Sequence, residues 1–141
     1  MENIFELDGI DVKEVPPLML AHVGDACFHL FVRVKLLRQS HRVHDLHERS
    51  ARIVSAVNQA HAYRALEPQL SDEERDIFRR GRNAKSRLSK NASASDYHTS
   101  TGFEALLGTL FLTRQFDRFN EIAGAAFDII DKKISLEEEN Q

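Results

Sequence analysis

The chain has 141 residues, of which 42% are hydrophobic and 29% charged, and such a chain folds as one globular domain. It contains no uncharged apolar run near the 18 or so residues that cross a bilayer, and its single cysteine, Cys27, excludes an internal disulfide and a cysteine-based zinc site. The net charge of −3 lacks the basic excess typical of nucleic-acid-binding domains. Because the first residues show no secretion signal, we expect a cytoplasmic protein without a membrane partner.

Apolar residues recur with helical spacing along the whole chain, which predicts an all-α fold. The first helix begins after Pro16 and runs to about Gln39. Five short helices cannot easily cover a helix that is apolar on two opposite faces, so we expect a two-fold homodimer through this helix, with Phe28 or Val32 in the uncovered patch. The two faces carry, respectively, Leu20, Val23, Ala26, Leu30, Val34 and Leu37, and Leu18, Ala21, Phe28, Val32 and Leu36.

Four more helices follow in the predicted bundle. They cover residues 46–66, 72–81, 100–114 and 117–134. Ser71 and Glu74 have the spacing of a capping box for the third helix, and Gly81 is a natural C-terminal stop. We divide the chain into a lead segment (residues 1–15), a helical domain (16–134) and a solvated acidic tail (135–141).

A strongly basic segment follows the third helix. Residues 79–90, RRGRNAKSRLSK, contain six cations and no acid, so they carry +6 while the rest of the chain carries −9. A long irregular loop inside a compact domain is usually functional or disordered, and clustered cations bind nucleic-acid phosphates. A solvated charged surface is the alternative. The predicted RNA-binding residues are Arg79, Arg80, Arg82, Asn83, Lys85, Ser86, Arg87 and Lys90.

Asp25 lies on an apolar face in the middle of the first helix. A buried carboxylate without a partner is very costly, so something must compensate its charge. An arginine or lysine from another helix is one solution. A metal ion is the other, with Gly24, Ala21 and Ala26 leaving room for it and for a substrate.

Glu104 raises the same question in the run STGFEALLG, where Gly108 one turn later clears space beside the carboxylate. Thr101 and Glu104 also fit a capping box at the start of the fourth helix, and the local sequence favours that interpretation. Two carboxylates on different helices, each near a glycine, are nevertheless what a magnesium site needs.

Several runs together resemble the ribonuclease III family. LMLAHVGDACFHLFVR resembles the signature helix of its catalytic domain, which ends in L-G-D-A, and HTSTGFEALLGTLFL resembles its second motif, E-A-[LI]-[LI]-G. Between them, DLHERSARIVSAVNQA and RRGRNAKS resemble the small bacterial branch called Mini-ribonuclease III, which lacks the double-stranded-RNA-binding domain. The resemblance extends from Leu18 to Ile130.

The resemblance implies a homodimeric, all-helical endonuclease that hydrolyses double-stranded RNA with Mg²⁺, or Mn²⁺ in its place. Its implied substrate is the precursor of 23S ribosomal RNA, cleaved alone or with the assistance of a ribosomal protein. Asp25 falls on the family's catalytic, metal-binding aspartate and Glu104 on its metal-binding glutamate. Positions that are acidic in the full-length enzymes are Leu18, Ala21 and Thr101 here, which leaves a thinner metal shell. A non-catalytic RNA- or ribosome-binding module on the same fold is the alternative.

Overall fold

The computed structural model describes residues 9–84 and 92–141 and contains no strand within those ranges. Its six α-helices are α1 (Pro17–Leu36), α2 (Val43–Ile53), α3 (Ala56–Leu66), α4 (Asp72–Arg82), α5 (Ala92–Leu112) and α6 (Phe116–Glu139). Single 3₁₀ turns lie at Val12–Glu14 and Glu67–Gln69. In the part of the chain so described, no helix is long and apolar enough to span a bilayer. The prediction of an all-α single domain is confirmed.

Helix α5 is the centre of the bundle. It packs against α1, α3, α4 and α6, and four of its side chains are almost completely buried: Phe103, Leu106, Leu107 and Leu110. The ring of Phe28 on α1 meets that of Phe103 edge-on, with centroids 5.6 Å apart. The central helix therefore holds its carboxylate, Glu104, in a fixed place relative to α1 and α3.

Helices α1 and α5 touch backbone to backbone at two glycines. A Cβ atom on Gly24 would lie 1.7 Å from the carbonyl oxygen of Glu104, and one on Gly108 would lie 2.0 Å from the carbonyl oxygen of Leu20. The expectation that these glycines make room for a ligand is wrong, because the facing helix occupies that space. Their role is to let the helices approach, which places Asp25 beside Glu104.

Three predicted helix boundaries need correction. The helix predicted at 46–66 is two helices, because the chain turns after Ile53 and the Ser55 hydroxyl accepts a hydrogen bond from the Asn58 amide to start α3. The helix predicted from Ser100 begins at Ala92. Helix α4 continues through Gly81 to Arg82, since this glycine is buried against α5 and does not end the helix.

The capping box that starts α4 is confirmed. The Ser71 hydroxyl accepts from the Glu74 amide at 3.1 Å, and the Glu74 carboxylate accepts from the Ser71 amide at 2.9 Å. The same carboxylate accepts two hydrogen bonds of 2.8 Å from Arg118 on α6. These hydrogen bonds, with that of Arg118 first, hold the pKa of Glu74 below its usual value.

The last helix extends beyond its predicted end at residue 134, although most residues of the acidic tail are exposed to solvent. Helix α6 extends to Glu139 because arginines on α2 pair with its last turns. Arg49 contacts Glu138 at 2.6 Å, and Arg52 contacts Glu137 at 2.6 Å. These ion pairs fix α2 against α6.

Helix α1 is apolar on two faces, as predicted, and one of them is largely exposed apart from the buried Leu20. Phe28 and Val32 are fully buried, so the expectation that they form the uncovered patch is wrong. The opposite face carries an exposed apolar stripe. Its members are Met19, Leu30, Val34 and Leu37, each exposed by 55% or more.

Candidate active site

Asp25 on α1 and Glu104 on α5 line one surface pocket together with residues of α3 and the α2–α3 turn. Their carboxyl groups lie within hydrogen-bonding reach of each other. The two acids selected from the sequence, 79 positions apart in the chain, are therefore brought together by the fold. Their proximity follows from the glycine contact between α1 and α5.

Asp25 is half exposed and has a partner on its own helix. Its Oδ1 lies 3.1 Å from Nε2 of His29, one turn along α1. In the described residues its ion-pair partner is thus a histidine, rather than the arginine or lysine from another helix that one interpretation required. The helix keeps this carboxylate at the pocket surface, where its other oxygen remains available to a ligand.

Glu104 is the more buried acid of the pair. Burial raises its pKa to about 9, and both a hydrogen bond with Asp25 and the charge of Asp25 act in the same direction, while a hydrogen bond from Gln59 opposes them. Two neighbouring carboxyl groups in a partly apolar site cannot easily ionise together. Without a cation, Glu104 therefore keeps its proton near neutral pH.

The capping-box interpretation of Glu104 is wrong. Glu104 lies well inside α5, whose first residue is Ala92, so it has no N-terminal amide to cap. The Thr101 hydroxyl donates to the carbonyl oxygen of Tyr97 at 3.0 Å. Glu104 therefore lacks the structural role that the local sequence favoured.

The residues present fit a magnesium ion held largely by other ligands. Leu18 and Ala21 line the pocket at positions for which the motif resemblance implied acids. Within residues 9–84 and 92–141 no group of three or more His, Cys, Asp or Glu side chains is arranged to hold a metal. Magnesium commonly takes one or two carboxylates and keeps water and phosphate oxygens for the rest of its shell. A cation would also replace the proton that Glu104 holds near neutral pH.

The basic segment begins within helix α4. Arg79, Arg80 and Arg82 occupy the last turn of α4, and Asn83 is its C-cap residue. Arg79 pairs with an aspartate of its own helix, whereas the side chain of Arg80 reaches a neighbouring groove. The other predicted RNA-binding residues lie outside the described ranges: Lys85, Ser86, Arg87 and Lys90.

The end of α4 lies next to the acid pair. Gly81 is flanked by Arg80 and Arg82, and a Cβ added to it would lie 2.7 Å from the Cβ of Ala105, the neighbour of Glu104. The last turn of α4 therefore packs against α5 beside the residue that follows Glu104, while Arg80 and Arg82 do not line the pocket of the acid pair.

Sequence reasoning missed Gln59. Its side chain is 2% exposed, lines the pocket and contacts Glu104. A polar residue among the small apolar positions of VSAVNQAHA was the available signal. Cys27, interpreted as a structural thiol, is half-buried, and burial raises its pKa to about 11, which is unsuited to a nucleophile at neutral pH.

Comparisons with known proteins identify the family of this chain. The model of the Ribonuclease III domain matches residues 18–115. A Mini-ribonuclease 3 from Symbiobacterium thermophilum is 46% identical over 120 residues, which cover 84% of this chain and 92% of that protein. One from Clostridium tetani is 36% identical over 133 residues, covering 92% and 88%.

A solved structure shares the fold. It is a crystal structure of a protein from Fusobacterium nucleatum, with a TM-score of 0.74 and 24% identity, and the match covers 84% of this chain and 96% of that one. The family match includes both motifs that carry the acid pair. The chain therefore belongs to the ribonuclease III family and is an endoribonuclease.

Proposed function

We propose that this enzyme hydrolyses double-stranded RNA with Mg²⁺ at the Asp25–Glu104 pair. The observation that carries the proposal is the pair itself: two carboxyl groups from different helices share one pocket, and burial together with the neighbouring Asp25 raises the pKa of Glu104. Such a pair ionises fully when a divalent cation binds. Asp25 and Glu104 would hold that ion.

Hydrolysis requires a water to attack phosphorus as the bond to the leaving oxygen breaks. Bound magnesium supplies an activated water and neutralises charge on the phosphate. Asp25 anchors the site at the pocket surface and orients the attacking water, and His29 fixes the Asp25 carboxylate by contacting its Oδ1. Glu104 contributes its charge from the buried side of the pocket, where low solvent exposure strengthens it.

The proposed substrate surface combines this pocket with the cations at the end of α4. Proteins recognise duplex RNA mainly by its shape, its phosphates and its 2′-hydroxyls. Arg80 and Arg82 are exposed on the turn that contacts α5 next to Glu104, and the rest of the basic segment follows them in sequence. We assign the phosphate contacts to these side chains.

The active species that we propose is a two-fold homodimer. The exposed stripe on α1, which includes Met19, Leu30, Val34 and Leu37, is the apolar patch that a second copy would cover. A two-fold axis through this stripe would give one acid pair for each strand of a duplex. The proposed natural target is a duplex in the precursor of 23S ribosomal RNA, as the motif resemblance implies.

The test uses purified protein and a structured precursor of 23S ribosomal RNA, with Mg²⁺ or with EDTA. We expect both strands to be cut only with Mg²⁺, and we expect Asp25→Asn to abolish cleavage while leaving the protein folded and bound to RNA. A metal-dependent cut by the Asp25→Asn variant would contradict the assignment. Binding of this RNA without any cleavage by the unmodified protein would contradict the proposed substrate and metal.

A further inference from the structure

Gln59 is a buried amide that joins the turn between α2 and α3 to the acid pair. Its Nε2 donates to the carbonyl oxygen of Val54 at 2.8 Å and to Oε2 of Glu104 at 3.4 Å. Its Oε1 is buried and has no hydrogen-bond partner among the described residues. A buried polar atom without a partner is rare in folded proteins and calls for an explanation.

The fold gives no packing reason for an amide at this position. Gln59 is only 2% exposed, and two nearby residues of α3, Ala60 and Ala62, are fully buried and apolar. An apolar side chain of similar length would fill the space, but it would remove the donor to the Val54 carbonyl oxygen and the donor to Glu104. The amide therefore has two polar contacts that packing does not need: the first supports the turn between α2 and α3, and the second reaches the acid pair.

The arrangement fixes the direction of the amide. The short bond to Val54, at the turn between α2 and α3, holds Nε2 in place, so its second hydrogen is directed at the Glu104 carboxylate. The backbone of Glu104 is already fixed by its contact with Gly24. Gln59 adds a constraint at the other end of the same side chain.

We propose that Gln59 is a positioning residue, which occupies Oε2 of Glu104 and leaves the other carboxylate oxygen to the cation shared with Asp25. This inference rests on the proposed metal site. Outer groups that orient a ligand typically change metal affinity by roughly 10- to 100-fold when they are removed. With only two carboxylates in the site, the orientation of each has a large effect on binding.

Asn58 provides a matched control for a purely structural role. It is the neighbouring residue, 5% exposed, and its Nδ2 donates to the carbonyl oxygen of Arg52 at 2.8 Å, while its Oδ1 accepts from Lys133 at 2.7 Å. It supports the same turn between α2 and α3, but its hydrogen bonds do not involve Glu104.

The experiment measures Mn²⁺ binding to the RNA-free protein by electron paramagnetic resonance of the free ion. Gln59→Met keeps the length of the side chain and removes the donor. We expect it to raise the dissociation constant about tenfold or more, and we expect Asn58→Ala to change it by less than about twofold although it lowers the melting temperature. The Mg²⁺ concentration for half-maximal cleavage should shift in parallel.

An unchanged Mn²⁺ affinity in folded Gln59→Met protein would overturn the inference, as would an equal loss in Asn58→Ala. If Gln59→Met does not fold, Gln59→Leu answers the same question. The proposed function fails separately, when the unmodified protein binds Mn²⁺ but does not cleave duplex RNA with Mg²⁺.

Discussion

Replacing Gly24 by alanine should disturb both the stability and the chemistry of this enzyme, because the glycine lies where α1 meets α5. The new Cβ would lie 1.7 Å from the carbonyl oxygen of Glu104 and 2.8 Å from the amide nitrogen of Gly108. Both neighbours are backbone atoms of a buried helix, so neither can rotate away. The two helices would have to separate by more than about 1 Å to relieve the overlap. A close-packed core cannot absorb a shift of that size without losing stability.

The expected magnitude follows from two opposing effects. Overpacking typically costs about 1–3 kcal/mol, and a rigid backbone neighbour places Gly24→Ala near the upper end. Alanine in a helix interior gains back about 1 kcal/mol relative to glycine. The net loss is about 2 kcal/mol, which corresponds to a fall in melting temperature of about 8 °C for a domain of this size.

Differential scanning calorimetry and a cleavage assay test this reasoning together. Gly124→Ala on α6 is the matched control, since its Cβ would meet only the ring of Phe31 at 3.9 Å and should stabilise the protein slightly. Gly24→Ala should also lose most of its cleavage, because separation of the helices moves Asp25 away from Glu104. An unchanged melting temperature with full activity would refute the view that the glycine contact sets the geometry of the site.

Three further predictions concern charge and assembly. Because the fold raises the pKa of Glu104, the metal-free folded protein holds more protons at this residue than the unfolded chain does between pH 4.5 and about 9. The free energy of unfolding should therefore fall as the pH rises through this window. In thermal melts with EDTA, the melting temperature of Glu104→Gln should depend less on pH than that of the unmodified protein. Replacing Arg80 and Arg82 by alanine should weaken RNA binding. It should also reduce the steepness of log affinity against log salt concentration by roughly 0.7–0.9 for each phosphate that the variant no longer neutralises. A slope equal to that of the unmodified protein would mean that the RNA binds elsewhere. In sedimentation, Leu30→Lys should be an inactive monomer. Leu136 is also an exposed leucine, and Leu136→Lys should remain a dimer. A dimeric Leu30→Lys protein would exclude the α1 stripe as the interface.

Local sequence was sufficient for the features that depend on local physics. The capping box of Ser71 and Glu74 needs only a spacing of three residues, and the structure contains both of its hydrogen bonds. The two apolar faces of α1 follow from helical periodicity alone. Which of the two faces is covered depends on α5 and α6, and the residues of α1 do not encode it.

Tertiary contacts decided where α5 begins. Residues 92–99, ASASDYHT, are mostly weak helix formers, so the sequence predicted a later start. In the fold Asp96 pairs with Arg64 of α3 at 2.9 Å, and Ala94 and Thr99 are buried. Such packing routinely outweighs intrinsic propensity. The earlier start removes the capping role of Glu104 and so changes the interpretation of the site.

The pairing of Asp25 with Glu104 could be expected only from the motif resemblance, because no local spacing relates residues on different helices. In the fold, Leu18 and Ala21 lie in the same pocket as the two acids. They line the same pocket without adding charge, so the proposed site would offer a cation two carboxylates and would leave its other positions to water and RNA phosphate. In such a site, the affinity for the metal depends on the bound substrate and on the orientation of each carboxylate. The buried amide of Gln59 beside Glu104 should therefore change metal affinity more here than it would in a site with four acids.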